Sequence, residues 1–344
     1  MMERVILKTI GLLPESFFSL CYGFKPVVID GQRLDSKARL LCDIDRKNAT
    51  PVRDTPLETT RANLERLSSA LSGPRPKLSR IEDIDIPTEN GHLPARLYKP
   101  TTDPSLPVLV FYHGGGYIRG SLDSHDGLCA RLAKYGGFAV LSVGYRLAPE
   151  ARFPAAVEDA ITAFNWAVRH GAEYGLDPQR VAVGGDSSGG CLAAAVAQQM
   201  SATGETAPVF QMLLYPTLDA HLSAASYKLF EDGFFLTYDR IRDYRDMYLN
   251  TAAERDDVRA SPILNTDLAG LPPALIVTAG FDPLRDEAES YGKALQAAGV
   301  NVGIVRFPSM VHGFMSMTAI LPQATRAVRQ AAEALGHVFR GEDA

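Results

Sequence analysis

The sequence predicts an α/β fold whose central sheet is mostly parallel and flanked by helices. Eight candidate strands, most of them apolar, follow one another between residues 82 and 307. Helical periods separate several of them, for example Ala155 to His170 and Ser188 to Met200. Because a helix between two strands makes a crossover connection, it brings those strands together in parallel. The predicted strands are 82–88, 94–99, 107–112, 138–143, 180–184, 210–215, 273–278 and 301–307.

Composition places the chain among ordinary globular proteins. Of its 344 residues, 46% are hydrophobic and 22% are charged, so a core can form without a metal or a disulfide. The formal net charge of −5 argues against nucleic acid and anionic membrane as partners. The four cysteines have neither metal-ligand nor paired spacing, and we expect buried free thiols in a reducing compartment, the cytoplasm. They are Cys21, Cys42, Cys129 and Cys191.

The N-terminal segment is apolar but short. Residues 5–13 cannot span a bilayer, Pro14 ends the run, and no cleavage site follows at the spacing of a secretion signal. We expect an amphipathic helix whose apolar face covers a cleft in the core, with attachment to a membrane surface as the alternative. Its apolar residues are Ile6, Ile10, Leu13, Phe17 and Phe18. Residues 54–80 predict a further helix and a linker into the core.

Three consecutive glycines follow the predicted strand 107–112, in the run from His113 to Tyr117. Glycines leave successive backbone N–H groups unshielded, and such groups can converge on an oxygen that gains negative charge during acyl transfer. We expect Gly114 and Gly115 to provide two of these donors. A phosphate-binding loop is disfavoured, because the run lacks the Gly-Lys-Ser/Thr ending that holds phosphate and magnesium.

A second glycine-rich run, from Gly185 to Gly189, joins the predicted strand 180–184 to a helical stretch. A serine between two close glycines at such a junction is typical of a sharp turn that presents a hydroxyl. Ser187 is therefore the candidate nucleophile, and the backbone N–H of Ser188 would be the third oxyanion donor. We interpret Asp186 as part of the turn itself. If only this run is considered, a turn that merely connects the strand to the helix remains the alternative to a nucleophile turn.

The base is predicted from chain order. Where the nucleophile precedes the acid and the acid precedes the base, the histidine lies well beyond Ser187. His312 fits, because it follows the predicted strand 301–307 in a loop, and catalytic groups concentrate in such loops. His221 comes before any credible acid, and His337 falls inside a periodic helical segment.

Asp282 is the predicted acid. It follows the strand 273–278 at the edge of the sheet where an open α/β fold gathers its binding groups. Its carboxylate would hold the imidazole of His312 in one tautomer. Asp286 fits better in the first turn of a helix over 286–298, where the helix dipole favours negative charge.

Together these runs resemble those of the bacterial hormone-sensitive-lipase family of carboxylesterases, within the α/β-hydrolases. The resemblance extends from about residue 81 to the C-terminus. It rests on residues 113–117, 145–150, 185–190, 282–286 and 312–314. It implies the α/β-hydrolase fold with a helical cap, an acyl-serine mechanism on short to medium esters, and no cofactor or metal. The implied site consists of Ser187, Asp282 and His312, with Gly114, Gly115 and Ser188 as oxyanion donors.

Two positions depart from the family pattern. The family usually has alanine at the position of Ser188, and often aspartate at the position of Gly144. The backbone N–H of Ser188 survives the change, so we expect its oxyanion role to hold. The extra hydroxyl lies beside the reacting centre, where it can alter substrate preference. Ser188 is a poorer candidate nucleophile than Ser187, because the turn aims only its central residue at the substrate.

The chain divides into four segments on this interpretation. Residues 1–75 form an N-terminal cap segment and linker, 76–217 the first part of the catalytic α/β core, 218–260 a second cap segment, and 261–344 the rest of the core. The segment 218–260 is rich in aromatic and charged residues and shows no clear strand. Its aromatic residues either line an acyl or alcohol pocket or pack in the interior.

The sequence therefore predicts a serine carboxylesterase with a mostly parallel eight-stranded sheet. An amidase or deacetylase remains open, because the same three residues serve an alcohol or an amine leaving group. A hydrolase-like binding protein is disfavoured, because all three residues are present. The predicted partner is a small-molecule ester, with no nucleic acid and no stable membrane insertion. The strand 301–307 would be last in the sheet, where it can pair with its copy in a homodimer.

Overall fold

The computed structural model describes residues 9–48, 51–88, 91–204 and 206–342. Its centre is an eight-stranded sheet, and a two-stranded hairpin of β1 (Val28–Ile29) and β2 (Gln32–Arg33) lies near the N-terminus. The strands of the central sheet are β3 (Arg80–Thr88), β4 (Gly91–Lys99), β5 (Leu106–Tyr112), β6 (Ala139–Val143), β7 (Leu176–Asp186), β8 (Gln211–Leu214), β9 (Ala274–Phe281) and β10 (Val302–Val311).

The strand order explains why the sheet is mostly parallel. From one edge to the other it runs β10, β9, β8, β7, β5, β6, β4, β3. All neighbours from β10 to β6 pair in parallel, whereas β4 is antiparallel to both β6 and β3. Because parallel strands point the same way, the loops that follow β5, β7, β9 and β10 meet at one edge of the sheet.

Helices connect the strands and cover both faces of the sheet. Residues 9–12 are helical, and short 3₁₀ turns lie at Val52–Asp54 and Phe314–Ser316. The α-helices among the described residues are α1 (Glu15–Cys21), α2 (Ser36–Asn48), α3 (Leu57–Ser72), α4 (Asp126–Gly136), α5 (Ala155–His170), α6 (Ser188–Thr203), α7 (Ala225–Leu229), α8 (Tyr238–Tyr248), α9 (Arg285–Ala297) and α10 (Pro322–Phe339).

Alternation along the strands divides the core between the two faces. Val108, Val110 and Tyr112 of β5 pack on one face, and Leu109 and Phe111 pack on the other, as the period of two requires. Helices α5, α6 and α9 cover the first face, and α4 and α10 cover the second. The inner strands are therefore apolar on both sides, which explains their unbroken apolar runs in the sequence.

All eight strands predicted for the sheet are present, and the structure confirms that the segment 218–260 contains no strand. The start of β7 and the end of β10 were predicted least well, since β7 begins at Leu176 and not at residue 180, and β10 ends at Val311 and not at residue 307. The pairing of β7 with β5 is irregular between Leu106 and Val108, and that of β10 with β9 shifts between Phe307 and Val311, so neither stretch has a regular period. The hairpin β1–β2 was not predicted, because two-residue strands leave no periodic signal.

The N-terminal apolar residues do not cover the cleft as the sequence predicted. Pro14 separates the helical residues 9–12 from α1, so one continuous amphipathic face does not form. Ile10 packs against the core face beneath α4 and α10, Phe18 is buried beside Lys37, and Phe17 is exposed. These residues and Leu13 are absent from the described lining of the large cavity at the carboxyl ends of the strands. Ile6 lies outside the described residues.

Candidate active site

Ser187 occupies a strained turn between β7 and α6. Its backbone φ of 55° and ψ of −120° lie outside the ordinary regions for a residue with a side chain. The flanking glycines are required by close approach of the backbone. A Cβ on Gly185 would lie 2.3 Å from Gly189, and one on Gly189 would lie 1.9 Å from the carbonyl oxygen of Tyr112. The turn therefore places the strain on the serine and holds its hydroxyl at the edge of the sheet.

Ser187, His312 and Asp282 form one continuous line of hydrogen bonds. Nε2 of His312 lies 2.9 Å from Oγ of Ser187, and its Nδ1 lies 2.8 Å from Oδ2 of Asp282. Asp282 directly follows β9 and His312 directly follows β10, and these two strands are parallel neighbours. The structure thus brings together the three residues that the sequence singled out.

The surroundings of Asp282 and His312 fix both side chains. Asp282 is fully buried, and its Oδ1 accepts a hydrogen bond from the Leu284 N–H over 2.9 Å. The ring of Tyr215 meets the imidazole of His312 edge-on, with the ring centres 5.0 Å apart. Only 9% of His312 is exposed, on the side that faces the cavity. The imidazole therefore has one orientation, with one nitrogen toward each partner.

The residues weighed as alternatives lie elsewhere. Asp286 is in the first turn of α9, where the sequence predicted it. His221 lies 2.9 Å from Asp256 at the surface, and His337 pairs with Glu342 at the end of α10. Neither histidine lines the cavity that contains Ser187.

The glycine run after β5 packs against the serine turn, but it presents a different set of N–H groups from the predicted one. The Gly114 N–H donates to Oδ1 of Asp186 over 2.8 Å, so Gly114 does not fit the predicted oxyanion role. The N–H groups of Gly115 and Ser188 have no acceptor within the described part of the chain. The Gly116 N–H, which the sequence argument missed, donates to the Oγ of Ser188 over 3.0 Å.

Asp186 joins the two glycine runs and is more than a residue of the turn. Besides accepting from Gly114, its carboxylate lies 3.1 Å from Nε2 of His125 on the loop before α4. Burial raises the pKa of Asp186, but His125 and the Gly114 N–H outweigh it, and the pKa lies below its usual value. The carboxylate therefore stays charged and keeps the first glycine of the loop in place. Its signal in the sequence is its position at the end of β7, beside the serine.

His113 supports the same loop as a neutral ring. It stacks on Tyr145 with the ring centres 4.3 Å apart and on His125 with the ring centres 5.5 Å apart. Burial and the neighbouring His125 lower the pKa of His113 to about 3. Since the ring carries no charge at neutral pH, its contribution is packing and a contact of 2.9 Å between Nδ1 and the carbonyl oxygen of Gly114.

A cavity of about 290 Å³ opens onto Ser187 and His312. The glycine loop and the serine turn line one side of it. The opposite walls come from two separate stretches of chain, residues 45–71 and 217–249. The apolar residues of these walls include Leu64, Leu67, Leu71, Leu222, Leu236 and Ile241. The site therefore combines a small polar reacting centre with a mostly apolar enclosure, which is typical of small-molecule sites.

The described residues contain no arrangement typical of a metal centre or of a membrane span. No group of three or more histidine, cysteine, aspartate or glutamate side chains among them is placed to hold a metal ion. Within the same residues, no helix combines the length and the apolar character needed to cross a bilayer. The four cysteines are unpaired, and three of them are buried as the sequence predicted. The prediction is wrong for Cys21, which is exposed at the last position of the short helix α1.

Known proteins share both the sequence pattern and the architecture. Residues 109–316 match the sequence model of a protein family whose members have the α/β-hydrolase fold. The chain is 42% identical over 322 residues to the carboxylic ester hydrolase LipN of Mycobacterium tuberculosis, an alignment that covers 91% of this chain and 85% of that protein. The chain belongs to the hormone-sensitive-lipase-like family of α/β-hydrolases.

Other members of the family agree with this assignment. An ethyl acetate hydrolase of Pseudomonas putida is 39% identical over 290 residues, which cover 83% of this chain and 91% of that enzyme. A hyperthermophilic esterase of Pyrobaculum calidifontis superposes with a TM-score of 0.85 at 37% identity, over 89% of this chain and 98% of that structure. The predicted fold and the predicted enzyme class, a carboxylic ester hydrolase with a serine nucleophile, are confirmed.

Proposed function

We propose that Ser187 is the nucleophile, His312 the general base and Asp282 the orienting acid of this esterase. The observation that carries the proposal is the line of hydrogen bonds, 2.9 Å and 2.8 Å long, that joins the three side chains. Oγ of Ser187 attacks the ester carbonyl carbon while Nε2 of His312 takes its proton, and Asp282 holds the Nδ1–H. The imidazolium then protonates the leaving alcohol. Water repeats the sequence on the acyl-serine and releases the acid.

The carbonyl oxygen gains negative charge in this attack and needs hydrogen-bond donors. The N–H groups of Gly115 and Ser188 are proposed for this role, because neither has an acceptor within the described residues. The Gly116 N–H is the third donor, once the hydroxyl of Ser188 releases it. Gly114 is left out, because its N–H is already bonded to Asp186.

The size of the cavity supports short to medium acyl chains. Its volume of about 290 Å³ lies at the lower end of the range for small-molecule sites. A long acyl chain would extend beyond the enclosure and lose the apolar contacts that favour its binding. We therefore expect kcat/KM to rise from acetyl to medium-chain esters and to fall for palmitoyl esters.

Removal of the nucleophile tests the mechanism. Ser187→Ala is expected to lower kcat for p-nitrophenyl butyrate on the order of 10⁶-fold. An organophosphate should label the wild type at one equivalent and leave the variant unlabelled. Near-normal turnover by the variant would remove Ser187 from the mechanism. Matched esters and anilides then separate an esterase from an amidase, and a wild type with neither turnover nor labelling would be a binding protein.

The two cap segments, residues 1–75 and 218–260, are proposed to act as one unit above the core residues 76–217 and 261–344. Ion pairs between the segments support this. Nε of Arg53 lies 2.7 Å from Asp243, and Nη1 of Arg240 lies 2.9 Å from Asp45. The unit covers the cavity with residues from α2, α3 and α8, and not with residues 10–18.

A homodimer across β10 is also proposed. This strand is at the edge of the sheet, and over residues 302–307 its outer side has no strand partner among the described residues. An open edge of this kind can pair with its copy across a two-fold axis. Light scattering at working concentrations should give twice the chain mass, and a monomer mass would contradict the dimer.

The location in the cytoplasm stays a prediction. It is supported by four unpaired cysteines, of which Cys21 is exposed. An exposed thiol stays reduced more readily in a reducing compartment than outside the cell. Fractionation of the source cells with a thiol-reactive probe would test it.

A further inference from the structure

Most charged side chains around the cavity are paired with a partner of opposite charge. Nη1 of Arg240 lies 2.9 Å from Asp45, and Nη2 of Arg245 lies 2.9 Å from Asp246. The carboxylate of Asp186, as described above, is engaged by a histidine and a backbone N–H. These groups need no ligand to balance their charge.

Arg119 is different from these residues. Its side chain lines the cavity, and within the described residues no carboxylate lies at ion-pair distance from it. Its Nε is buried and has no hydrogen-bond partner there. The guanidinium lies over the ring of Tyr244, 5.2 Å from the ring centre, and a ring face supports a cation without neutralising it. A partly buried cation of this kind is stabilised by a ligand that brings a negative charge.

Arg119 is also close in the chain to the reacting centre. Its backbone N–H donates to the carbonyl oxygen of Gly115 over 3.2 Å, within the tight turn that follows the glycine run. The loop that offers N–H groups to the ester carbonyl therefore also carries the guanidinium. A substrate bound at Ser187 can extend along this loop toward the arginine.

Two tyrosine hydroxyls add further donors on the opposite wall, which meets the guanidinium at the ring of Tyr244. Tyr244 and Tyr248 are four residues apart on α8 and so share one face of the helix, which lines the cavity. They are only 7% and 3% exposed, yet neither hydroxyl has a hydrogen-bond partner within the described part of the chain. A buried hydroxyl without a partner is destabilising, so an acceptor on the ligand would stabilise both.

We propose that this cavity takes esters that carry a carboxylate on their acyl or alcohol part, such as half-esters of dicarboxylic acids. Arg119 binds the carboxylate, and the hydroxyls of Tyr244 and Tyr248 donate to it or to a neighbouring oxygen. The proposal rests on the proposed function, because the ester group must reach Ser187. The chain as a whole has a net charge of −5, so its overall charge does not attract anions. A preference for an anionic ester comes from Arg119, Tyr244 and Tyr248.

Pairs of esters of similar size that differ in charge test the proposal. Monoethyl glutarate and ethyl pentanoate place the carboxylate, or its neutral replacement, on the acyl side. The acetate ester of 3-hydroxypropanoate and propyl acetate do the same on the alcohol side. The rate of acid release is followed by titration at constant pH, and kcat/KM is obtained for each ester.

Arg119→Met removes the charge and keeps most of the side-chain length. We expect kcat/KM for the charged ester on the preferred side to fall about 10- to 100-fold, as for loss of a hydrogen bond to a charged group. The matched neutral ester should change by less than about threefold, because it never used that bond. Tyr244→Phe keeps the ring and removes one donor, and it should lower only the charged-ester value, by about threefold to tenfold.

Arg245→Met is the matched control. It removes another arginine that lines the cavity, but the charge of this arginine is already paired with Asp246. The ratio of charged to neutral kcat/KM should stay close to that of the wild type. Equal losses on charged and neutral esters in Arg119→Met would overturn the proposal. A wild type that hydrolyses ethyl pentanoate and neither charged ester would overturn it as well.

Product inhibition of the wild type provides a test that needs no variant. If the acyl-side charged ester is the preferred one, glutarate is expected to inhibit hydrolysis of ethyl pentanoate at a lower concentration than pentanoate does, and equal or weaker inhibition would overturn the proposal. If the alcohol-side charged ester is preferred, 3-hydroxypropanoate is expected to inhibit hydrolysis of propyl acetate at a lower concentration than 1-propanol does, and equal or weaker inhibition would overturn the proposal. A wild type that hydrolyses none of the four esters but turns over p-nitrophenyl butyrate would overturn this proposal and leave the proposed function standing. A wild type that is indistinguishable from Ser187→Ala on p-nitrophenyl butyrate as well would overturn the proposed function too.

Discussion

The Gly116 N–H donates a hydrogen bond to the hydroxyl oxygen of Ser188 over 3.0 Å. The N–H of Tyr117 lies 3.4 Å from the same oxygen. The hydroxyl therefore occupies the acceptor position of a backbone donor directly beside the proposed nucleophile Ser187. An alanine at position 188 would leave that donor free.

Ser188→Ala is expected to raise kcat/KM for a neutral ester such as p-nitrophenyl butyrate, by about twofold to tenfold. In the wild type the substrate oxygen must displace the Ser188 hydroxyl before it receives the Gly116 N–H, and a hydrogen bond of this kind is worth about 0.5–1.5 kcal/mol. Steady-state kinetics on both proteins provide the measurement. The free energy of unfolding should fall by about 1 kcal/mol, because the N–H loses its acceptor in the resting enzyme.

The opposite kinetic result would assign a different role to Ser188. A fall in kcat of more than about threefold, with an unchanged fold, would mean that the hydroxyl rotates and donates to the substrate oxygen itself. A hydroxyl can act as donor or acceptor, so the two roles differ only in the direction of one O–H bond.

Asp282→Asn is expected to lower kcat by about 10⁴-fold, the effect of the same change in the serine-protease triad. The asparagine oxygen can keep the hydrogen bond from the Leu284 N–H, and its NH₂ group then faces Nδ1 of His312. Nδ1 must accept from that group, so the proton moves to Nε2 and the ring cannot take one from Ser187. Steady-state turnover of p-nitrophenyl butyrate measures the loss. A kcat within about tenfold of the wild type would show that Asp282 does not set the tautomer.

The meeting of the three side chains of the proposed triad was predictable because the signals that place them are local. Ser187 is marked by glycines on both sides, and Asp282 and His312 each follow a clear apolar strand. Once the strands are known to be parallel, their carboxyl ends meet, and residues 30 and 125 positions apart come into contact. This prediction required neither the distances between the three side chains nor their orientations.

The donors and the charges of the cavity were not predictable in the same way. Whether Gly114 or Gly116 offers its N–H to a substrate depends on a carboxylate, Asp186, that the fold brings in from 72 residues further along the chain. Tyr244 meets Arg119 although the two residues are 125 positions apart in the chain. Contacts of this kind arise from packing between distant segments, and no period or motif in the sequence records them.

Gly189→Ala is expected to lower the free energy of unfolding by about 3 kcal/mol or more and to reduce turnover. Its Cβ would lie 1.9 Å from the Tyr112 carbonyl oxygen, and backbone on both sides would have to move apart. Urea unfolding and ester hydrolysis provide the two readouts. Gly303→Ala is the control, since its Cβ meets only Leu275 at 3.4 Å and should change stability by less than about 0.5 kcal/mol. Equal stability of the two variants would contradict the steric account of the serine turn.

Glu287 is a buried carboxyl of α9 that contacts the segment 218–260. The Leu218 N–H donates to Oε1 over 2.7 Å, and the hydroxyl of Tyr227 donates to Oε2 over 2.7 Å. Both bonds favour the charged carboxylate, but burial outweighs them and raises the pKa of Glu287 from 4.5 to about 8. Between about pH 4.5 and pH 8, Glu287 is therefore mostly protonated in the folded protein and mostly ionised in the unfolded chain.

Glu287→Gln should flatten the dependence of stability on pH between about pH 5 and 8. In this window Glu287 is protonated more often in the folded state than in the unfolded chain. The contribution of Glu287 to the free energy of unfolding is therefore complete below about pH 4.5 and declines as the pH rises, by up to about 1.4 kcal/mol per pH unit. Glutamine cannot titrate. Urea unfolding of both proteins across the window measures the difference. Glu289→Gln is the control, because the pKa of Glu289 is lowered and its contribution is lost only in acid. Parallel curves for the wild type and Glu287→Gln would mean that Glu287 is already charged in the folded protein.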